Sequence, residues 1–429
     1  VNDDRVAGVS IAVIRRGEVV KRAAYGRASL ELDAPARPET VYEIGSITKP
    51  FTAVTVLKLM EEGKLALEDP VSKFLDALPE AWRSVTIEQL LAHTSGIPSY
   101  TSATDFIELS RQVRGQRQIL DLVGGKPLDF EPGERWSYNN TGYFLLGMVI
   151  EKVEGTSYER ALRRVILDPL DMRQTRAGGP TPVVPGRARG YSRMGEVWVN
   201  RDPLQPTVAF SAGCLLSTVD DLVKFDRGMR SGLLLSEETF SRAWQAGTVR
   251  SGTPTRYGLG FTVHERQGQP YRGHNGGTPG FSSSWMWFPK LDLSIIVLTN
   301  ASSGAADRLA FGIAGLVEPA LKLPERSSEP DPKPELTEQH RGVLGDVLAG
   351  KEVEAFAREF AEFMARPEAR ATSRELAEQG ELKGFEYLRQ SGDGRVRFYR
   401  MTLGKAVFIV RVTSGEHGKI VGLLIQPGD

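Results

Sequence analysis

Ser46-Ile-Thr-Lys49 sets a hydroxyl and an amine three residues apart, and no other serine in the chain has a lysine three residues on. Residues at that spacing share one face of a helix. At the N-terminus of a helix, unpaired N–H groups and the dipole favour negative charge beside Ser46. If the helix is buried, desolvation disfavours the ammonium of Lys49, and the neutral amine becomes a base that can take the seryl proton. The chemistry this allows is acyl transfer through a covalent seryl ester. The competing reading makes Ser46 a helix cap and Lys49 a surface charge. A lysine on an otherwise apolar helix favours the first.

Two further clusters suit that chemistry. Tyr138-Asn139-Asn140 is the only Tyr-x-Asn in the chain. A phenol there can pass a proton to a leaving group, and a nearby ammonium would favour its phenolate. Asn140 offers a donor and an acceptor to a substrate amide or to Lys49. The competing reading is a half-buried loop tyrosine followed by a helix-capping asparagine. His274-Asn-Gly-Gly277 precedes an apolar strand. Glycines there let a ligand approach the backbone, and the N–H of Gly277 can pair with that of Ser46 as an oxyanion hole. His340-Arg-Gly342 repeats the His-x-Gly pattern, but in a polar helix, where it reads as a surface residue.

These groups need elements to position them. Gly8–Ile14 and Glu18–Ala23 read as a hairpin, and 285–288 and 293–299 as paired apolar strands. Ile47–Glu62 is apolar on most sides and reads as a buried helix, with Pro50 tolerated in its first turn. Thr86-Ile-Glu-Gln89 is a capping box for a short helix ending near His93, so His93-Thr-Ser-Gly96 reads as a structural turn. Residues 101–130 read as partly helical, 143–153 as an apolar helix, 178–206 as an irregular excursion, and 305–321 as a helix packed on the sheet. Asp220-Asp221 reads as a helix N-cap, and Trp285 with Trp287 as sheet packing.

The chain has 429 residues, 40% of them hydrophobic and 25% charged, as in ordinary globular proteins. Its 54 basic and 54 acidic residues give no net charge, which disfavours a nucleic-acid partner. One cysteine, Cys214, excludes an intrachain disulfide and the cysteine-rich metal patterns, and reads as a small buried apolar residue. No apolar run is long enough to cross a bilayer. The chain opens on Val1, as expected of a processed product. Four prolines among charges between Pro324 and Pro334 mark a linker. The expected organisation is a catalytic domain over 1–323, a linker over 324–335, and a small α+β domain over 336–429. The last has helices near 336–349 and 352–365, then strands near 382–390, 394–401, 404–413 and 418–426.

Ser-x-x-Lys, Tyr-x-Asn and His-x-Gly, in that order, resemble the three signatures of the serine β-lactamase and penicillin-binding protein superfamily. The likeness is strongest to its class C β-lactamase-like and D-alanyl-D-alanine carboxypeptidase-like branch. Gly45–Thr52, Glu61–Leu65, Asp69–Ser72, Leu90–Gly96 and Gly273–Phe281 agree as well, so the resemblance covers about residues 4–322. It implies an α/β (α+β type) fold: an antiparallel sheet flanked by helices, with an all-helical subdomain. It also implies acyl-enzyme chemistry on Ser46, with Lys49 and Tyr138 as proton carriers. Asn140, His274, Gly276 and Gly277 would form the substrate-binding edge. It implies no metal or organic cofactor, a small ester, β-lactam or D-amino-acid peptide as substrate, and a periplasmic or secreted location.

The sequence departs from that pattern at two places. His274 stands where many β-lactamases carry the lysine of Lys-Thr-Gly, which weakens the hold on a substrate carboxylate unless the ring is protonated. Asn139 stands where small residues are usual, and is expected to crowd the site. Three whole-protein readings follow: a working hydrolase, a penicillin-binding sensor that acylates without efficient turnover, and a scaffold that has lost the chemistry. The intact set Ser46, Lys49, Tyr138 and Asn140 favours the first. The C-terminal domain loosely resembles cystatin-like or nuclear-transport-factor-2-like accessory domains and carries no catalytic constellation.

Overall fold

The β-branched run after Val6 forms Gly8–Arg15 (β1), and a two-residue turn at Arg16-Gly17, both at positive φ, returns the chain as Glu18–Ser29 (β2). Positive φ at both central residues matches the twist of the flanking strands. After Ala34–Pro35 (β3) the chain leaves the sheet. It returns as Thr262–Arg266 (β4), Gln269–Thr278 (β5), Phe281–Phe288 (β6) and Leu293–Thr299 (β7). The seven strands lie in the order β3-β2-β1-β7-β6-β5-β4, each pair of neighbours antiparallel. The computed structural model describes residues 6–103, 105–180, 183–194, 197–302, 304–322, 330–365 and 367–427. It divides into two compact units, Val1–Lys322 and Leu323–Asp429.

Period-two alternation gives the large sheet two apolar faces. Val9, Ile11, Val13, Ile295 and Val297 meet Ala306, Ala310 and Ala314 of the helix Ala305–Val317. Ala12, Ile14, Ile296 and Leu298 face the other way, into the larger core. Thr48–Glu61 (α1), Asn140–Glu154 (α2) and Val219–Arg230 (α4) contribute to that core; Pro206–Gly213 (α3) joins α1 and α2 there. The helix Ala305–Val317 is α5. α1 is buried almost all round, as its composition requires. α2 starts three residues before the apolar run suggests, because Asn139 caps it by accepting from Gly142 N–H.

The structure corrects several expectations. Residues 178–206 include a hairpin, Gly190–Met194 with Val197–Arg201. The cap of α4 is Thr218, not the Asp220-Asp221 pair; Asp221 instead accepts from the Gln174 and Thr175 amides. The helix at 305 stops at Val317, and a short turn, Pro319–Leu321, follows. Residues 101–130 are partly helical as expected, in short pieces of which Gln116–Asp121 is the longest among the described residues.

The second unit orders Pro334–Leu348 (α6), Arg358–Met364 (α7) and Pro367–Ala377 (α8) before a four-stranded antiparallel meander. Its strands are Leu382–Gln390, Val396–Leu403, Ala406–Ser414 and Ile420–Pro427. The helix expected over 352–365 is shorter, and α8 was not anticipated. Half of the expected linker, residues 324–329, lies outside the described residues. His340, expected on the surface, is buried with its Nδ1 2.7 Å from the Tyr399 hydroxyl. It shares one face of α6 with Val343, Leu344 and Val347, a helical spacing that its polar neighbours disguise.

α4 is pinned to the sheet by a buried carboxylate. Asp226 accepts from Trp285 Nε1 at 3.0 Å, Ser294 Oγ at 2.7 Å and Arg230 at 2.7 Å. Burial raises its pKa against the pull of Arg230. Removing one member of such a group strands the others. Asp226→Ala is expected to cost about 3 kcal/mol and to lower the unfolding transition of the first unit by several degrees in calorimetry. An unshifted transition would show that the pin carries no stability.

Candidate active site

Ser46 lies in a single 3-10 turn, Gly45–Ile47, that runs into α1, rather than in the α-helix itself. Two glycines make the turn possible. Gly45 has φ +49°, and a Cβ on it would stand 2.8 Å from Gly277 N. A Cβ on Gly276 would stand 2.1 Å from Ile44 O and 2.9 Å from Ser46 N. β5 therefore passes directly against the seryl turn. Pairing of β5 with β4 ends at Gly273, so residues 274–278 keep one edge free of that neighbour. A Cβ on Gly277 meets nothing within 4 Å.

Lys49 is fully buried, and its Nζ lies 3.0 Å from Ser46 Oγ, 2.8 Å from Asn140 Oδ1 and 2.8 Å from the Ala212 carbonyl. Desolvation holds its pKa well below the ordinary 10.5. As an ammonium it donates to all three. As a neutral amine its two N–H bonds serve Asn140 and Ala212, and its lone pair faces the Ser46 hydroxyl. The Ala212 carbonyl belongs to α3, whose Phe210 has φ 38° and breaks the helix locally. Ser211 Oγ donates to the Tyr143 carbonyl at 2.8 Å and ties α3 to α2.

Tyr138 lines the same cavity as Ser46. Its hydroxyl is buried without a hydrogen bond of proper geometry. Burial raises its pKa, and the nearby Ser46 hydroxyl offsets only part of that. Burial thus favours the neutral phenol over the expected phenolate, and Lys49 Nζ sits 4.7 Å from the Tyr138 ring centroid. Asn140 completes the group, with Nδ2 donating to Thr101 Oγ1 at 2.9 Å. Asn139 does not crowd the cleft: its amide caps α2 and donates to the Ile97 carbonyl.

His274 departs most from expectation. It is buried, and its Nδ1–H donates to the Asn275 carbonyl at 2.6 Å. That bond leaves Nε2 to accept from the Tyr257 hydroxyl at 2.8 Å. Burial, then Lys49, pushes its pKa down to about 3. A neutral ring with both nitrogens engaged does not anchor a carboxylate. Its face instead forms part of an aromatic wall with Tyr138 and Tyr257.

His93 is more than a turn residue. Its carbonyl accepts from Ser137 N–H at 2.9 Å, and its Nδ1 accepts from Asn139 N–H at 3.1 Å. These bonds bracket Tyr138, whose ring centroid lies 4.4 Å from the imidazole. The motif Leu90–Gly96 carried the one sequence signal for this role. The Ala212 carbonyl, a backbone group, carried none.

A seryl turn held against a glycine-bearing sheet edge, with a buried lysine behind it, defines a class of penicillin-recognising and related serine hydrolases. The chain belongs to the beta-lactamase family, whose family model matches residues 1–318. It is 29% identical over 324 residues to penicillin-binding protein 4* of Bacillus subtilis, covering 69% of this chain and 70% of that protein. Among solved structures it resembles the octameric penicillin-binding protein homologue of Pyrococcus abyssi, with TM-score 0.66 and 27% identity over 99% of this chain and 86% of that one. It also resembles a D-stereospecific amidohydrolase from a Streptomyces species, with TM-score 0.61 and 30% identity over 70% of this chain and 91% of that one.

The glycine geometry separates two neighbouring substitutions. Gly276→Ala forces the strand from the seryl turn, an overpacking cost of about 1–3 kcal/mol, and is expected to lower the melting temperature. Gly277→Ala places its methyl in open space and is expected to melt as the parent does. Equal melting of the two variants would contradict this close approach.

Proposed function

We propose that this protein is a serine hydrolase that cleaves an ester or amide through an acyl-enzyme on Ser46. The observation that carries this reading is the buried Lys49 amine, 3.0 Å from Ser46 Oγ and held below its ordinary pKa. In the proposed cycle neutral Lys49 takes the Ser46 proton as Oγ bonds to the substrate carbonyl carbon. The Ser46 and Gly277 N–H groups receive the oxyanion. Tyr138 gives its proton to the leaving alcohol or amine and is reprotonated from the Lys49 ammonium. Water then repeats the sequence in reverse on the seryl ester, releasing the acid. Asn140 orients Lys49 and meets the substrate amide.

The cavity beside Ser46, about 730 Å³ in volume, supports turnover, since it holds an acyl group together with the water that must cleave it. A sensor that stays acylated is the second reading, and a neutral His274 favours neither. The relatives' names, penicillin-binding proteins and a D-stereospecific amidohydrolase, support an amide as substrate. The accessory role of the second unit and a periplasmic or secreted location belong to the same proposal.

Ser46→Ala is expected to reduce hydrolysis of p-nitrophenyl acetate at least ~10³-fold. Retained turnover in that variant would sink the assignment. The pH profile tests the base. A depressed Lys49 pKa means that kcat/KM rises with pH as the amine loses its proton and levels off below 10.5, the ordinary lysine value. Because burial raises the Tyr138 pKa, no descending limb is expected below pH 10. A limb falling from neutral pH would instead require an acid that loses its proton there, against the raised pKa of Tyr138 and the lowered pKa values of His93 and His274.

A further inference from the structure

The two N–H groups that receive the oxyanion in the proposed cycle belong to separate pieces of chain. Ser46 sits in the turn that follows the short strand Tyr42–Glu43, and Gly277 sits near the tip of β5. Among the described residues no backbone hydrogen bond joins that turn, Gly45–Ile47, to β5. Beyond Gly273 the tip of β5 pairs with β6 alone, its last pair being Thr278 with Phe281. Side chains cross the gap instead. Ser283 Oγ of β6 donates to the Ile44 carbonyl at 2.8 Å. Thr278, directly after Gly277, donates through Oγ1 to Glu43 Oε2 at 2.9 Å, and Glu43 stands three residues before Ser46.

Glu43 is itself held from several sides. Its side chain is buried, and its backbone pairs with Leu216. Its other oxygen accepts from Arg187 Nη2 at 2.9 Å and from Leu204 N–H at 3.3 Å. An ionised carboxylate only accepts, which matches these three donors. A buried carboxylate beside a guanidinium has an ordinary role in keeping that cation paired. Here one oxygen is turned to the strand tip as well, and Thr278 lines the same cavity as Ser46 and Gly277. We infer that Glu43 is a positioning residue for the oxyanion hole: through Thr278 it fixes the separation of the Ser46 and Gly277 N–H groups. Such donors act when they are preset at about 2.7–3.1 Å from the oxyanion, so a drift of the tip from the seryl turn weakens them. The inference rests on the acyl-enzyme reading of Ser46 and adds what holds its two donors in register.

The test compares, in the full chain, Thr278→Val, which replaces the hydroxyl by a methyl group, with Thr278→Ser, which keeps it. With p-nitrophenyl acetate as reporter, Thr278→Val is expected to lose about tenfold in kcat with KM unchanged, as for an interaction made only in the transition state. Thr278→Ser is expected to retain the kcat of the parent. Phenylboronic acid, which bonds to Ser46 Oγ as a tetrahedral adduct with an oxygen in the same hole, is expected to bind Thr278→Val about tenfold more weakly. Glu43→Gln keeps an oxygen for Arg187 and turns a neutral N–H toward Thr278. It is expected to lose about threefold in kcat and to add nothing to Thr278→Val in the double variant. Parental kcat and boronate affinity in Thr278→Val, parental kcat in Glu43→Gln, a loss that Thr278→Ser shares, or additive losses in the double variant would each overturn the inference while leaving the Ser46 reading intact. If the reporter is not hydrolysed in a Ser46-dependent way, the acyl-enzyme reading falls, and this inference with it.

Discussion

The site depends on an amine held inside the protein. Lys49 reaches three acceptors from three separate pieces of chain: the seryl turn, the start of α2 and the end of α3. Hydrogen bonds from a charged donor contribute about 1.5–3 kcal/mol each. Removing an ion from water costs several kcal/mol even after relaxation. The neutral amine keeps the same three contacts, two as donor and one as acceptor, so the desolvation penalty decides and the pKa falls well below the ordinary value. That suits a group that must take a proton in each cycle. It also explains why α1 is buried almost all round: water beside Lys49 would restore the ammonium and remove the base.

A nucleophile so placed still needs a surface for the reacting carbonyl, and the sheet provides it. β5 approaches the seryl turn so closely that neither Gly45 nor Gly276 tolerates a side chain, while Gly277 opens onto the cavity. The sheet is the rigid partner in this contact. β5 is flanked by β6, which is flanked by β7, and both faces of β7 are buried. The phenol is held on the opposite side by local hydrogen bonds rather than by a sheet. The His93 carbonyl and imidazole grip the backbone on either side of Tyr138, and the imidazole can do so only while Nδ1 is unprotonated. Burial keeps it that way.

Much of this was legible in the sequence because it was written in side chains at fixed spacing. The Ser46–Lys49 interval, the alternation of β1 and the unbroken apolar run of β7 each carry their meaning locally. What was not legible depends on groups without a side-chain signature, or on where a segment packs. The Ala212 carbonyl is a backbone atom aimed by the unusual φ of Phe210. His274 was read by its type, as a titrating ring, whereas its behaviour is set by Tyr257 and the Asn275 carbonyl. His340 was read from its polar neighbours, although its helical spacing to Val343, Leu344 and Val347 already pointed inward. The Gly190–Arg201 hairpin was hidden by the prolines and glycines that flank it.

The titratable groups packed around Ser46 share one property: burial drives each toward its uncharged form. Lys49, His93 and His274 are shifted down, and Tyr138, Tyr143 and Tyr257 are shifted up. A catalytic wall assembled from neutral groups has little field of its own, so charge created by the reaction meets backbone N–H groups rather than competing side-chain ions. It also divides labour within the cleft. Burial favours the neutral form of the proton-transfer groups, while the charged lining residues Asp307 and Arg201 bond to Asn275 and Ser192 instead.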